Sequence, residues 1–217
     1  MNSTPGWLTA LAESARTMPV PRRMRPPETG GRESAVLVLF GEGETGPDLL
    51  LIQRNEGLRR HSGQPAFPGG RIEPTDASPE AAALREAAEE TGAEPDGIDV
   101  VGRLPELYLP FSDFRVIPVL GWWRRPSDVR PVDIGEVAAV SRVPVADLAD
   151  PGNRVQVRYG GDGAWGPGFR VDGMLVWGFT GAVVDALLGL GGWELPWHRE
   201  GLTDVFEATP HGLRPVG

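Results

Sequence analysis

Residues 69–92 read Gly69-Gly70-Arg71-Ile72-Glu73-Pro74-Thr75-Asp76-Ala77-Ser78-Pro79-Glu80-Ala81-Ala82-Ala83-Leu84-Arg85-Glu86-Ala87-Ala88-Glu89-Glu90-Thr91-Gly92. Ser78 is a good N-cap, Pro79 suits the first helical position and Gly92 suits a left-handed stop. The spacing therefore predicts a loop, a helix over 79–91, and an abrupt end. At 100° per residue, Glu86, Glu89 and Glu90 share an arc of about 100° on that helix. Ala81, Leu84 and Ala88 form a separate stripe, apolar and mostly small, expected to lie close to a sheet.

Three carboxylates at i, i+3 and i+4 repel one another by tenths of a kcal/mol per pair, roughly. A helix selected only for stability would alternate the signs. Clustered oxygen donors instead suit Mg²⁺ or Mn²⁺, hard cations that keep positions free for water and phosphate oxygens. The glycine pair Gly69-Gly70 allows the backbone before the helix to approach an ion or a ligand closely.

The charge of the whole chain points to the same place. Its 217 residues carry a formal charge of -9. Residues 71–100 hold Glu73, Asp76, Glu80, Glu86, Glu89, Glu90, Glu94, Asp96 and Asp99 against only Arg71 and Arg85. An acidic balance argues against a nucleic-acid partner, which would call for a basic surface. Cysteine is absent, which excludes disulfides and Cys-ligated zinc. No apolar run approaches the ~20 residues of a membrane span, and the first residues lack the charged and apolar regions of a signal peptide. A soluble, cytoplasmic protein is the expectation. Every basic residue is arginine; with the abundance of Gly, Ala and Pro this fits a GC-rich genome, so the Gly and Pro content is not read as disorder.

Outside the quoted stretch, residues 1–33 read as an N-terminal arm. A short helix runs through Ala15 with Trp7, Leu8 and Leu11 on its apolar side, followed by a Pro- and Arg-rich connector over 19–31. Strands are expected at 35–40, 49–53, 100–104, 116–123, 137–143 and 154–159. A second secure helix is expected over roughly 174–189, with a short one at 145–148. Residues 160–168, with Trp165 among five glycines, read as a mobile loop. Strands interleaved with few helices, without regular βαβ alternation, suggest an α/β protein: a mixed sheet with helices on both faces.

The stretch from Gly70 to Ala93 resembles the box of the Nudix hydrolases, Gly-x5-Glu-x7-Arg-Glu-u-x-Glu-Glu-x-Gly-u, where u is apolar. Arg85, Glu86, Ala87, Glu89, Glu90, Gly92 and Ala93 match its second half. The first half departs: Gly70 to Arg85 is one residue longer, and Asp76 stands near the expected first Glu. The resemblance implies a Nudix α/β/α sandwich with a mixed sheet. It implies metal ligation by Glu86, Glu89 and Glu90, with the Gly70 carbonyl as a further donor. Arg85 would orient the carboxylates, and Asp76 would brace Arg85. Either Glu89 or Glu136, the latter on a later loop, would act as general base.

A second match lies upstream. Leu50-Leu51-Ile52-Gln53-Arg54-Asn55, Arg59, Gly63 and Phe67-Pro68-Gly69-Gly70 resemble the signature Leu-Leu-Thr-x-Arg-Ser/Ala-x3-Arg-x3-Gly-x3-Phe-Pro-Gly-Gly of coenzyme A pyrophosphatases. Ile52 and Asn55 depart from it. The resemblance covers about residues 34–190, read as the hydrolase domain, and leaves the tail 191–217 unassigned. It implies hydrolysis of coenzyme A or a derivative to 4′-phosphopantetheine and adenosine 3′,5′-bisphosphate. Arg54, Arg59 and Phe67 would bind substrate, the arginines as a cationic grip on phosphates. Other nucleoside diphosphate derivatives (ADP-ribose, NADH, dinucleoside polyphosphates) remain open as substrates, as does a nucleotide-sensing domain without catalysis. His61, His198 and His211 show no metal-ligand spacing. Trp122, Trp123, Trp193 and Trp197 read as core or edge residues. A homodimer is compatible with the sequence and is not indicated by it.

Overall fold

The computed structural model describes residues 3–55, 63–159 and 164–197, and in the C-terminal stretch the strand residues 202–204, 206–209 and 212–215. The chain divides into two compact units, Met1–Pro144 and Val145–Gly217.

The first unit opens with helix α1 (Gly6–Ala15), then strands β1 (Arg32–Gly43), β2 (Gly46–Arg54), β3 (Pro65–Ala66) and β4 (Gly69–Arg71). Helix α2 (Pro79–Thr91) follows, then β5 (Ile98–Arg103), β6 (Leu107–Leu109), β7 (Phe114–Trp123) and β8 (Val137–Pro144). These strands form one sheet whose main path is β3-β2-β1-β7-β5, with β4 on β1, β6 on β7 and β8 on β2. β1 and β7 run parallel, Ala35 facing Ile117, while the other pairings are antiparallel. The sheet is mixed, as the uneven alternation of strands and helices suggests.

Period two sorts the long strands into two apolar faces. Ala35, Leu37, Leu39, Val119 and Trp123 join Ala82, Ala83 and Ala87 of α2 in one buried cluster. On the opposite face Trp7 of α1 meets Phe40 edge-on at 5.4 Å and Trp122 at 6.2 Å. Helices thus cover both faces within this unit.

Helix α2 has the predicted bounds and caps. Ser78 accepts the Ala81 N–H at 3.2 Å, Pro79 opens the helix, and Gly92 ends it at φ 76°. Its buried stripe is not the expected one. Ala82, Ala83 and Ala87 are buried with Glu90, and Ala81, Leu84 and Ala88 lie at the margin. In this rotation Ala82, Ala83 and Ala87 pack in the apolar cluster, and Glu90 turns inward to accept the Gly69 N–H at 2.9 Å.

The second unit contains α3 (Val145–Ala149), β9 (Arg154–Tyr159), β10 (Ala164–Val171), β11 (Met174–Val176) and α4 (Gly178–Leu190). β12 (Leu202–Asp204) pairs parallel with β9, and β13 (Phe206–Thr209) forms a hairpin with β14 (Gly212–Pro215). Two expectations need correction here. Much of the supposed loop 160–168 is strand β10, residues 160–163 lying outside the described ones. The helix expected from about 174 begins at Gly178. Asp172 and Gly173, at φ 50° and 70°, make the tight turn that pairs Val171 with Met174, so 174–176 become a strand. Among the described residues no helix is long and apolar enough to cross a membrane.

Candidate active site

The site lies where the end of β2, the β4 loop, α2 and the segment preceding β8 meet. Arg85 organises its acidic side. Its Nε and Nη2 donate to the two oxygens of Asp76, each at 3.0 Å. Nη1 donates to Glu86 at 3.0 Å and to Glu89 at 3.1 Å, and Nη2 also reaches the Arg71 carbonyl at 3.1 Å. One guanidinium therefore spends its planar fork on three carboxylates and a backbone oxygen. The bond to Asp76 foremost, then that to Glu86, raises the Arg85 pKa. The Arg85 bonds, followed by the Glu73 N–H, hold Asp76 below the usual carboxylate range. The extra residue in the loop leaves Asp76 able to brace Arg85.

Glu86 lies directly over Gly70. A Cβ at Gly70 would stand 2.4 Å from the Glu86 carboxylate, so position 70 must lack a side chain if that carboxylate is to keep its place. Burial raises the Glu86 pKa against the opposing pull of Arg85, and the charges of Glu89 and Glu136 add to the rise. Glu90 is more enclosed, its side chain only 5 % exposed. Burial pushes its pKa up to about 7, opposed by the Gly69 N–H and Arg54, and assisted by Glu86 and Glu136. Glu86, Glu90 and Glu136 thus lie within one another's electrostatic reach, although Glu136 is far along the chain. Glu89 differs: its side chain is 59 % exposed and turned toward Arg85.

Arg54 and Glu136 come together through the sheet. β2 pairs with β8, a register shift falls between Gln53 and Arg54, and Arg54 lies opposite Val137. Bulges of this kind re-aim side chains beside functional sites. Here Arg54 Nη2 donates to Glu136 at 3.2 Å, and Nη1 lies 3.8 Å from Glu90. Arg54 thus contacts two carboxylates of the site, a pairing its sequence position did not announce.

The other substrate-binding expectations fare unequally. Arg59 lies outside the described residues, as do Arg60, His61, His198 and His211. Phe67 lies among the buried core residues at 2 % exposure, and a part for it in binding substrate stands as a proposal. Trp122 and Trp123 are buried as core residues.

The acidic groups suit a hard divalent cation. Their donors are carboxylate oxygens, two of them carry raised pKa values from crowding and burial, and the cradle at Gly70 admits Glu86. Among the described residues no three acidic or histidine side chains converge as a ready-made metal site. Magnesium commonly needs only one or two protein carboxylates, because water and substrate phosphates complete its octahedron. Glu86 and Glu90 meet that requirement.

With this geometry in place, comparison with known proteins gives the class. Residues 31–159 match the NUDIX domain model, more than half of the chain, and the chain belongs to that family. It is 43 % identical over 122 residues to an uncharacterized Nudix hydrolase NudL of Cronobacter sakazakii. A protein of the same description from Salmonella paratyphi B is 42 % identical over 127 residues. These alignments cover 54 % and 56 % of this chain and 59 % and 62 % of the relatives, so the likeness spans about three-fifths of the relatives' length. The crystal structure of a NUDIX hydrolase from Alicyclobacillus acidocaldarius superposes with a TM-score of 0.51 at 19 % identity, covering 75 % of this chain and 93 % of that one. That likeness concerns the fold alone.

Proposed function

We propose that the chain is a metal-dependent hydrolase of a nucleoside diphosphate derivative, with coenzyme A or a derivative as substrate. The observation that carries the reading is the Arg85 clamp. It braces Glu86 and Glu89 against Asp76 while Glu86, over Gly70, and Glu90, bonded to the Gly69 N–H, act on one another's charge. A purely structural helix has no use for such crowding, and a nucleotide sensor has no need to keep the whole set.

Glu86 and Glu90 would hold Mg²⁺ or Mn²⁺, with Glu89 and the Gly70 carbonyl as the further donors implied by the box. The ion supplies Lewis-acid polarisation of the phosphate oxygens and makes water a better nucleophile at neutral pH. The protein's part is positional. Arg85 touches no substrate and keeps the acidic groups from drifting apart. Glu136 is the better candidate for general base, since its charge acts on both Glu86 and Glu90 from outside the helix, whereas Glu89 is one of the metal donors the box implies. Its carboxylate would take the proton of the attacking water as the phosphoanhydride bond breaks. Arg54, beside Glu136, would donate to a phosphate oxygen once substrate enters.

The coenzyme A assignment is supported by the upstream signature through Arg54, Gly63 and Phe67-Pro68-Gly69-Gly70. The engagement of Arg54 with two carboxylates favours a second reading, in which it does not select the substrate and another diphosphate, such as ADP-ribose, NADH or a dinucleoside polyphosphate, is cleaved. Specificity constants across coenzyme A, dephospho-coenzyme A, ADP-ribose, NADH and a dinucleoside polyphosphate separate the two. A preference for coenzyme A of tenfold or more supports the first reading. Equal or better turnover of ADP-ribose supports the second.

A further inference from the structure

Glu136 does not belong to the box helix, and the residue that ties its segment to the site lies outside the box as well. Asn55 follows β2 immediately. Its backbone N–H donates to the Glu136 carbonyl at 2.7 Å, and its side-chain Nδ2 donates to the Ile134 carbonyl at 2.9 Å. Asp133 closes the same segment from its other side. Its Oδ1 accepts the Gly135 N–H at 2.9 Å and the Glu136 N–H at 3.3 Å, and its carbonyl accepts from Val137 at 2.8 Å. Farther back, the Val132 N–H donates to the Glu90 carbonyl at 3.0 Å, joining the segment to the end of α2.

These bonds divide the work between backbone and side chain. Any residue at 55 could make the bond from its N–H to Glu136. Only a side chain of suitable length with a donor can also reach the Ile134 carbonyl, two residues earlier, and so hold the Ile134–Gly135 peptide that leads into Glu136. Gly135 adds no stiffness of its own, so this peptide is held by Asp133 at its N–H and by Asn55 at its carbonyl. Without the second bond Glu136 keeps its Arg54 partner and its own backbone bonds, but the peptide leading into it loses the anchor on its carbonyl. Side-chain precision of this order matters, because displacement by about 1 Å can cost ~10²-fold in rate.

We propose that Asn55 is a positioning residue for the reaction: through the Ile134 carbonyl, its side-chain amide sets where the Glu136 carboxylate stands over Glu86 and Glu90. The inference rests on the reading of Glu136 as general base. It also gives a role to one of the two departures from the upstream signature.

A double-mutant cycle tests it, using Asn55→Ala, Glu136→Gln and the pair in the full-length protein with coenzyme A and saturating Mn²⁺. Asn55→Ala is expected to lower kcat about tenfold with KM within about twofold, and in the Glu136→Gln background to cost less than about twofold. Asn55→Asp, which lacks the donor, should behave as Asn55→Ala. Mn²⁺ affinity by calorimetry should be the same in the wild type and Asn55→Ala. An equal loss in both backgrounds, or a weakened Mn²⁺ affinity, overturns the role of Asn55 and leaves the base in place. Wild-type kcat in Glu136→Gln removes the base itself, and the inference falls with it.

Discussion

Arg85 grips Asp76 with a two-pronged ion pair, Nε and Nη2 each 3.0 Å from a different carboxylate oxygen nine residues upstream. The same guanidinium holds Glu86 and Glu89, so the loop before α2 and the acidic face of α2 are braced by one group. A lysine cannot reproduce this, because a single ammonium has no planar fork. Arg85→Lys is therefore expected to lower kcat by about 10²-fold while preserving the circular dichroism spectrum, the loss being one of preorganisation. Steady-state kinetics with the two proteins at saturating metal checks it; an unchanged kcat would show that the fork is dispensable.

Removing a carboxylate from the acidic face should act more severely. Glu86→Gln or Glu90→Gln is expected to cost at least ~10³-fold in kcat, about 4 kcal/mol of transition-state stabilisation. Thermal unfolding should stay cooperative. The kinetics and the melts together distinguish lost chemistry from lost fold.

Gly70→Ala offers a subtler probe. The added Cβ would lie 2.4 Å from the Glu86 carboxylate, which is the far end of a flexible side chain and can swing away. The fold should survive, with a melting temperature within a few degrees of wild type, since about 1 kcal/mol shifts Tm by only ~2–4 °C in a chain of this size. Activity should fall about 10²-fold, and Mn²⁺ affinity with it. Calorimetric Mn²⁺ titration of the variant is the measurement, and wild-type affinity would dissociate Glu86 from the ion.

Glu90 gives the metal-free protein an unusual pH response. Its pKa is pushed up from 4.5 to about 7 by burial, so the folded state holds the proton more tightly than the unfolded chain does. Stability from this group is then greatest below pH 4.5, falls as pH rises between about 4.5 and 7, and stays reduced above. The full difference is about 3 kcal/mol. Glu90→Gln cannot ionise and should be more stable than wild type at pH 8 in EDTA, with the gain vanishing near pH 4. Urea melts at the two pH values test this, and a variant no more stable at pH 8 than at pH 4, relative to wild type, would contradict it.

What the sequence disclosed and what it hid follow from the range of the interactions. The bounds of α2 were legible because Ser78, Pro79 and Gly92 act on their own turns. The Asp76–Arg85 pair was legible through the resemblance to the Nudix box, whose matched stretch holds both members. The buried stripe of α2 was not, since its rotation goes with packing against the sheet and with contacts as distant as the Gly69 N–H to Glu90, 21 residues away. β11 was missed although Asp172-Gly173 carried a local turn signal that should have divided the supposed helix. The meeting of Arg54 with Glu136 spans 82 residues and has no spacing signature, and it arises only from the pairing of β2 with β8. Phe67 matched the upstream signature by residue type, while its burial depends on the packing of the whole sheet. Arg59 lies outside the described residues, and its part in binding stands as a proposal.

The most direct test follows the phosphorus nuclei of coenzyme A during incubation with the protein and Mg²⁺ or Mn²⁺. The account predicts loss of the two diphosphate resonances and their replacement by the monoester signals of 4′-phosphopantetheine and adenosine 3′,5′-bisphosphate. Conversion should cease in excess EDTA and be absent with Glu90→Gln. Turnover that continues undiminished in EDTA, or coenzyme A left intact while the metal is bound, would contradict it.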